Sequence, residues 1–162
     1  MADLVLDTGA LADLLAQYFN LEDRSNPKFL PSTFLTVEVT RLINHIVRIS
    51  NSYIIVSSVM AVVEIVRKWD EIVAGRFYAY QLAAFLESPP EWFSFDPMDE
   101  DVILLFGQVP SVVLMPDNSV RSIEWTDAVH AATALGRDKG ILVTADRILI
   151  QIPHLQSLLS RR

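Results

Sequence analysis

The chain has 162 residues, no cysteine and a formal net charge of −7. That length predicts one domain over 1–162 with room for a sizeable core. The missing cysteine excludes disulfide frameworks, thiolate metal sites and cysteine nucleophiles, and the acidic balance argues against a broad basic nucleic-acid surface. Hydrophobic residues at 51% and a mean hydropathy of +0.32 are high for a soluble chain. Part of that surplus is expected to cover a dimer or partner surface.

No targeting segment is visible, because Asp3 and Asp7 interrupt the first apolar run and no basic region precedes it. The most apolar stretch, 53–66, is broken by Ser57, Ser58 and Glu64 and is too short to span a bilayer. A cytoplasmic location without membrane contact is therefore expected.

In chain order, Leu4, Val5 and Leu6 form a short apolar run that predicts a buried strand ending at Asp7. A helix over 10–19 follows, with Leu11, Leu14, Leu15 and Tyr18 at helical spacing. Residues 20–31 read as a loop, and Ser32 or Thr33 is the expected cap of a second helix reaching about 48. The β-branched and aromatic run 53–56 predicts a second strand. Ser57 or Ser58 then caps a helix over 59–72, and a fourth helix is expected over 76–87, stopped by Pro89 and Pro90. A short strand over 92–95 and a helix over 99–106 come next. Residues 109–121, with two prolines and an Asp-Asn turn signal, read as a linker. An alanine-rich helix is expected over 122–139, closed by Gly140, followed by a strand over 141–144. The tail, 147–162, shows no clear pattern. Strands alternating with helices predict an α/β fold, with a mostly parallel sheet covered on both faces.

The acidic residues stand out by placement. Asp7 ends the first strand, and Asp146 follows the 141–144 strand by two residues. In open α/β sheets ligands bind at the carboxyl ends of strands. Glu64 lies within an apolar helical run, and Asp127 lies early in the alanine-rich helix. Both helices can overhang the same rim. Four converging carboxylates repel one another, and a hard divalent cation such as Mg²⁺ or Mn²⁺ removes the conflict. Such ions can activate water and stabilise charge on a phosphodiester. Each acid also has an ordinary structural reading. Asp7 suits a helix cap, Glu64 a solvated helix position, Asp127 a helix N-terminal dipole and Asp146 a turn.

Four segments together resemble the PIN-domain ribonuclease family. They are Leu4 to Thr8, Ser57 to Arg67, Trp125 to Ala134 and Leu142 to Arg147, in the family's order and rough spacing. The resemblance spans nearly the whole chain. It implies a three-layer α/β/α PIN-like fold and Mg²⁺- or Mn²⁺-dependent cleavage of RNA. It places Asp7, Glu64, Asp127 and Asp146 as catalytic, metal-binding acids, with Thr8 and Thr144 in support. Many members are VapC-type toxins, which implies a homodimer and a small antitoxin partner. Three features depart from the pattern: a long segment over 20–52, the acidic net charge and the lack of an assignable last strand.

Three further residues are candidates around the site: Glu124 as a fifth acid, and Arg67 and Arg147 for phosphate contact or for pairing with the acids. His130 shares a helix face with Asp127 and reads as structural. Trp69, Trp92 and Trp125 read as core or interface. A catalytically silent PIN-like module that binds RNA or protein is the alternative function. A phospho-accepting receiver domain is excluded, because one acid follows the first strand and the 141–146 segment carries no lysine.

Overall fold

The computed structural model describes residues 3–49, 54–137 and 139–159. Its centre is a five-stranded sheet made of β1 (Leu4–Leu6), β2 (Ile55–Ser58), β3 (Phe93–Asp96), β6 (Ile141–Thr144) and β7 (Gln156–Leu159), in the order β3-β2-β1-β6-β7. Every pairing in this sheet is parallel. The apolar runs follow from that: parallel strands are covered on both faces, and every residue of β1 and β2 is buried.

Alternate residues of β1 feed two separate cores. Leu4 and Leu6 pack with α1 (Thr8–Phe19), α2 (Val37–Ile49), α3 (Val59–Arg67) and α5 (Ala79–Glu87). Val5 packs with Val56, Leu142, α6 (Glu100–Phe106) and the alanine face of α7 (Trp125–Leu135). The three-layer α/β/α architecture expected from the sequence is the one observed.

Several boundaries differ from expectation, each for a local reason. The helix expected over 59–72 breaks at Lys68 into α3 and a short α4 (Trp69–Ile72). A turn with Ala74 and Gly75 at positive φ delays α5 to residue 79. The second helix starts at Val37, because Ser32 and Phe34 are tied to Asp13 on α1. Thr36 accepts from the Val39 N–H in the capping position instead. Strand β2 lies two residues later than expected, and Tyr53 falls outside the described residues.

The expected linker over 109–121 is corrected more substantially. It contains an antiparallel hairpin, β4 (Val112–Leu114) with β5 (Val120–Ser122), turned at Asn118 with φ 66°. Helix α7 is shorter than 122–139 at both ends. Gly140 serves a close approach rather than the helix cap, since a Cβ there would stand 2.3 Å from the Ala134 carbonyl oxygen. The unpatterned tail contains a 3₁₀ turn, Leu149–Gln151, and the edge strand β7.

The strand order sets the functional geography. The chain builds outward from β1 through β2 to β3, then returns to lay β6 on the other side of β1. The topological switch point therefore lies at the carboxyl ends of β1 and β6, where such sheets open a crevice.

Candidate functional site

Asp7 follows β1 directly, and Asp146 lies two residues beyond β6. Leu6 pairs with Val143, so the two acids flank the switch point. Asp7 is also the N-cap of α1, its Oδ1 accepting from the Ala10 N–H at 2.9 Å. Burial pushes the Asp7 carboxyl up from its ordinary value. The Ala10 N–H, the His130 ring, the Thr144 hydroxyl and the Ala145 N–H oppose that rise. Asp146 opens a turn: its Oδ1 accepts from the Ile148 N–H at 2.8 Å, and its own N–H donates to Thr144 Oγ1 at 3.0 Å.

Glu64 reaches the same rim from α3. Ser58 caps that helix, its Oγ accepting from the Met60 N–H at 3.1 Å, so the helix starts where β2 ends. The Thr8 hydroxyl donates to Glu64 Oε1 at 2.9 Å. His130 Nε2 lies 3.2 Å from the same oxygen and 3.2 Å from Thr8 Oγ1. Both oxygens face Nε2 as acceptors, so the ring carries its hydrogen there. Its Nδ1 is buried and has no hydrogen-bond partner among the described residues. Burial alone raises the Glu64 carboxyl, but the bonds from His130 and Thr8, with the charges of His130 and Lys68, hold it below its ordinary value.

Asp127 lies in the first turn of α7. Burial pushes its carboxyl up to about 6, with the charges of Asp146, Glu64 and Glu124 adding to the rise and His130 opposing it. All four carboxylates line one cleft of about 320 Å³, together with Thr8, Gly9, Phe34, His130 and Ala145. A Cβ at position 9 would meet the Phe34 ring at 3.1 Å, so glycine there lets the ring close over the rim. Among the described residues no group of three His, Asp or Glu side chains is drawn tightly enough to hold an ion as it stands. None of the four acids makes an ion pair with Lys or Arg among those residues.

The remaining candidates separate. Thr8 and Thr144 are buried beside the acids they bond. Glu124 is exposed and close enough to act on Asp127 without lining the cleft. Arg67 sits away from the cleft in a larger groove of about 530 Å³, whose other lining residues are apolar. Arg147 faces a third groove beside the β4–β5 hairpin. His130, read from the sequence as structural, lines the cleft itself. Phe34, which the sequence placed in the second helix, lines the cleft from the loop before it, where its N–H is bonded to Asp13.

The sequence matches no family model, and no curated protein matches it. Among solved structures, a chain of VapBC2 from Rickettsia felis, bound to a DNA fragment from their promoter, is similar in fold. The likeness has a TM-score of 0.53 at 14% identity and covers 96% of this chain and 97% of that one. It is a likeness of fold. The PIN-like α/β/α architecture expected from the sequence agrees with it. No helix among the described residues is long and apolar enough to cross a membrane.

Proposed function

We propose that the chain is a metal-dependent endoribonuclease that hydrolyses RNA phosphodiester bonds, and that it is the toxin of a toxin–antitoxin pair. The observation that carries this reading is the cleft: four carboxylates at the β1/β6 switch point, none in an ion pair with Lys or Arg among the described residues. RNA as substrate, a homodimer and a small antitoxin partner rest on the sequence resemblance. The fold's likeness to a chain of VapBC2 supports the toxin assignment.

The donor set fits hard cations. Asp7, Glu64, Asp127 and Asp146 offer only oxygens, which suits Mg²⁺ or Mn²⁺, and their mutual repulsion is the strain that a cation relieves. Bound there, the ions would supply positive charge to offset the phosphodiester and would make water a better nucleophile. The chain's own side chains do the rest. Thr8 and His130 keep Glu64 ionised and aimed, and the Thr144 hydroxyl bonds and orients Asp7, as outer partners orient ligands. Asp127, at about 6, is mostly ionised at neutral pH. No protein nucleophile is required, and the Thr8 hydroxyl is already committed to Glu64.

The second reading is a silent module of the same fold that binds RNA or protein. One observation favours it: no three donors converge tightly enough to hold an ion as they stand. One experiment separates the two. Purified protein is incubated with mixed-sequence RNA and Mn²⁺, beside Asp7→Asn and Asp127→Asn variants. The nuclease reading expects cleavage that EDTA stops and that falls by about 10²-fold or more in each variant. Equal cleavage by the variants, or none with any RNA, favours the silent module. Expression that arrests growth, relieved by a co-expressed small neighbouring gene, tests the toxin role.

A further inference from the structure

A groove of about 270 Å³ runs between the β4–β5 hairpin and the 3₁₀ turn that follows Asp146. Met115 and Arg121 line it from the hairpin, and Arg147 and Ile150 from the turn. Arg147 follows Asp146 directly in the chain; Asp146 lines the cleft and Arg147 the groove, so one short turn supplies a side chain to each.

Both arginines are exposed, and neither guanidinium makes an ion pair or hydrogen bond with a described residue. Arg76 and Arg137, by contrast, are each bound to a carboxylate. Two guanidinium groups outside any ion pair with a described residue thus line one groove of a chain of net charge −7. The planar guanidinium fork matches phosphate oxygens, and it is weakly hydrated, so it gives up water readily. Met115 and Ile150 add apolar surface for a sugar or base. The acid lining the groove, Asp117, accepts from the Ser119 N–H at 2.9 Å and acts on Arg121 through its charge.

We propose that this groove is a subsite for the RNA strand beside the scissile bond, with Arg147 and Arg121 contacting its backbone phosphates. The proposal rests on the nuclease reading above. It also gives an acidic protein a favourable way to bind a nucleic acid. The cleft repels the polyanion until cations enter it, while the adjoining groove attracts the flanking strand. The hairpin, which the sequence presented as a linker, becomes one wall of the substrate path.

The test measures affinity apart from turnover. A single-stranded RNA of about twelve nucleotides is titrated, with Mn²⁺, into the full chain carrying Asp127→Asn to suppress cleavage. Arg121→Ala and Arg147→Ala are added singly, and salt is varied from about 50 to 200 mM. Each alanine is expected to weaken binding by about 5- to 10-fold and to reduce the slope of log K against log salt by about 0.7, the contribution of one phosphate contact on a single strand. Arg→Lys at either position keeps the slope. Asp117→Asn, which keeps the oxygen that Ser119 bonds, tightens binding by about 2-fold.

Unchanged affinity and slope in both alanine variants would overturn the proposal. So would a groove that takes acidic protein instead, seen as variants that lose a poly-glutamate probe while keeping RNA. The two readings fail differently. If the groove assignment alone fails, the wild-type chain still cleaves RNA and the arginine variants keep its KM. If the nuclease reading fails, the chain never cleaves, and RNA affinity still reports whether the arginines bind it.

Discussion

Replacing Asp127 by asparagine should stabilise the metal-free protein while removing its activity. The Asp127 carboxyl is pushed up from 3.8 to about 6, chiefly by burial and then by the charges of Asp146, Glu64 and Glu124. No described residue offers it a compensating hydrogen bond. Taken at face value, that interval is worth about 3 kcal/mol. Solvent at the rim screens a half-exposed group, and the α7 N-terminus favours an acid, so about 1–2 kcal/mol is the better expectation. The sign follows from linkage: a carboxyl raised in the folded state contributes stability that is full below 3.8 and is lost as pH rises through about 6. Above neutrality the folded protein therefore carries the whole penalty, and asparagine relieves it. Urea unfolding in EDTA at about pH 8 should show the variant more stable, with Tm higher by about 2–4 °C for each kcal/mol. The advantage should halve by about pH 5 and nearly vanish by about pH 4. Adding Mn²⁺ should reverse the order, because the cation stabilises the wild type alone. A variant less stable than wild type at pH 8 in EDTA, or a difference that ignores pH, would refute the repulsion argument.

Three other substitutions probe the frame around the cleft. Asp7→Asn keeps a good helix cap and should abolish cleavage without lowering metal-free stability, because it also removes the buried charge, whereas Asp7→Ala should be about 1 kcal/mol less stable than Asp7→Asn in urea unfolding. His130→Phe removes the donor to Glu64 Oε1 and should weaken Mn²⁺ binding by calorimetry about 10-fold or more. His130→Gln, which can place an amide N–H near the former Nε2, should recover most of that loss. Arg76→Ala strips the partner from Asp13, whose side chain is 1% exposed and also holds Ser32 and the Phe34 N–H. It should cost about 3 kcal/mol in urea unfolding.

The parts legible in the sequence were those set by local pattern. Strands β1 and β6 are continuous apolar runs that stop at or just before an acid, and helices α1 and α7 show helical spacing, so the rim carboxylates could be placed before their contacts were known. What failed to show was long-range or patternless. The second helix starts late because Asp13, nineteen residues before Ser32, captures that hydroxyl. The hairpin was read as a linker because its strands are three residues long and β5 is exposed throughout, leaving no alternation to detect. Strand β7, Gln156–Leu159, is nearly as short and shows no alternation of polar and apolar residues. His130 was visible on the Asp127 helix face, but only the packing of α3 against α7 shows that it meets Glu64.

The four acids differ in how far the fold itself explains them, and the difference bears on function. Asp7 caps α1, Asp146 organises the turn after β6, and Glu64 is bonded by Thr8 and His130. A purely structural role could account for each of these three. Asp127 has no such employment. It sits in the first turn of α7 with no hydrogen bond from a described residue, raised by burial and by three neighbouring carboxylates. The helix dipole offsets only part of that, by about 0.3–1 kcal/mol. Asparagine has the same shape and relieves the repulsion, so shape gives no reason for a carboxylate there. A group that weakens the fold at neutral pH, facing a cleft with three other acids, is what a cation-binding site requires and what a structural helix position does not. The case for a cation site therefore leans hardest on Asp127, and the pH-dependent stability of its asparagine variant tests the repulsion behind it.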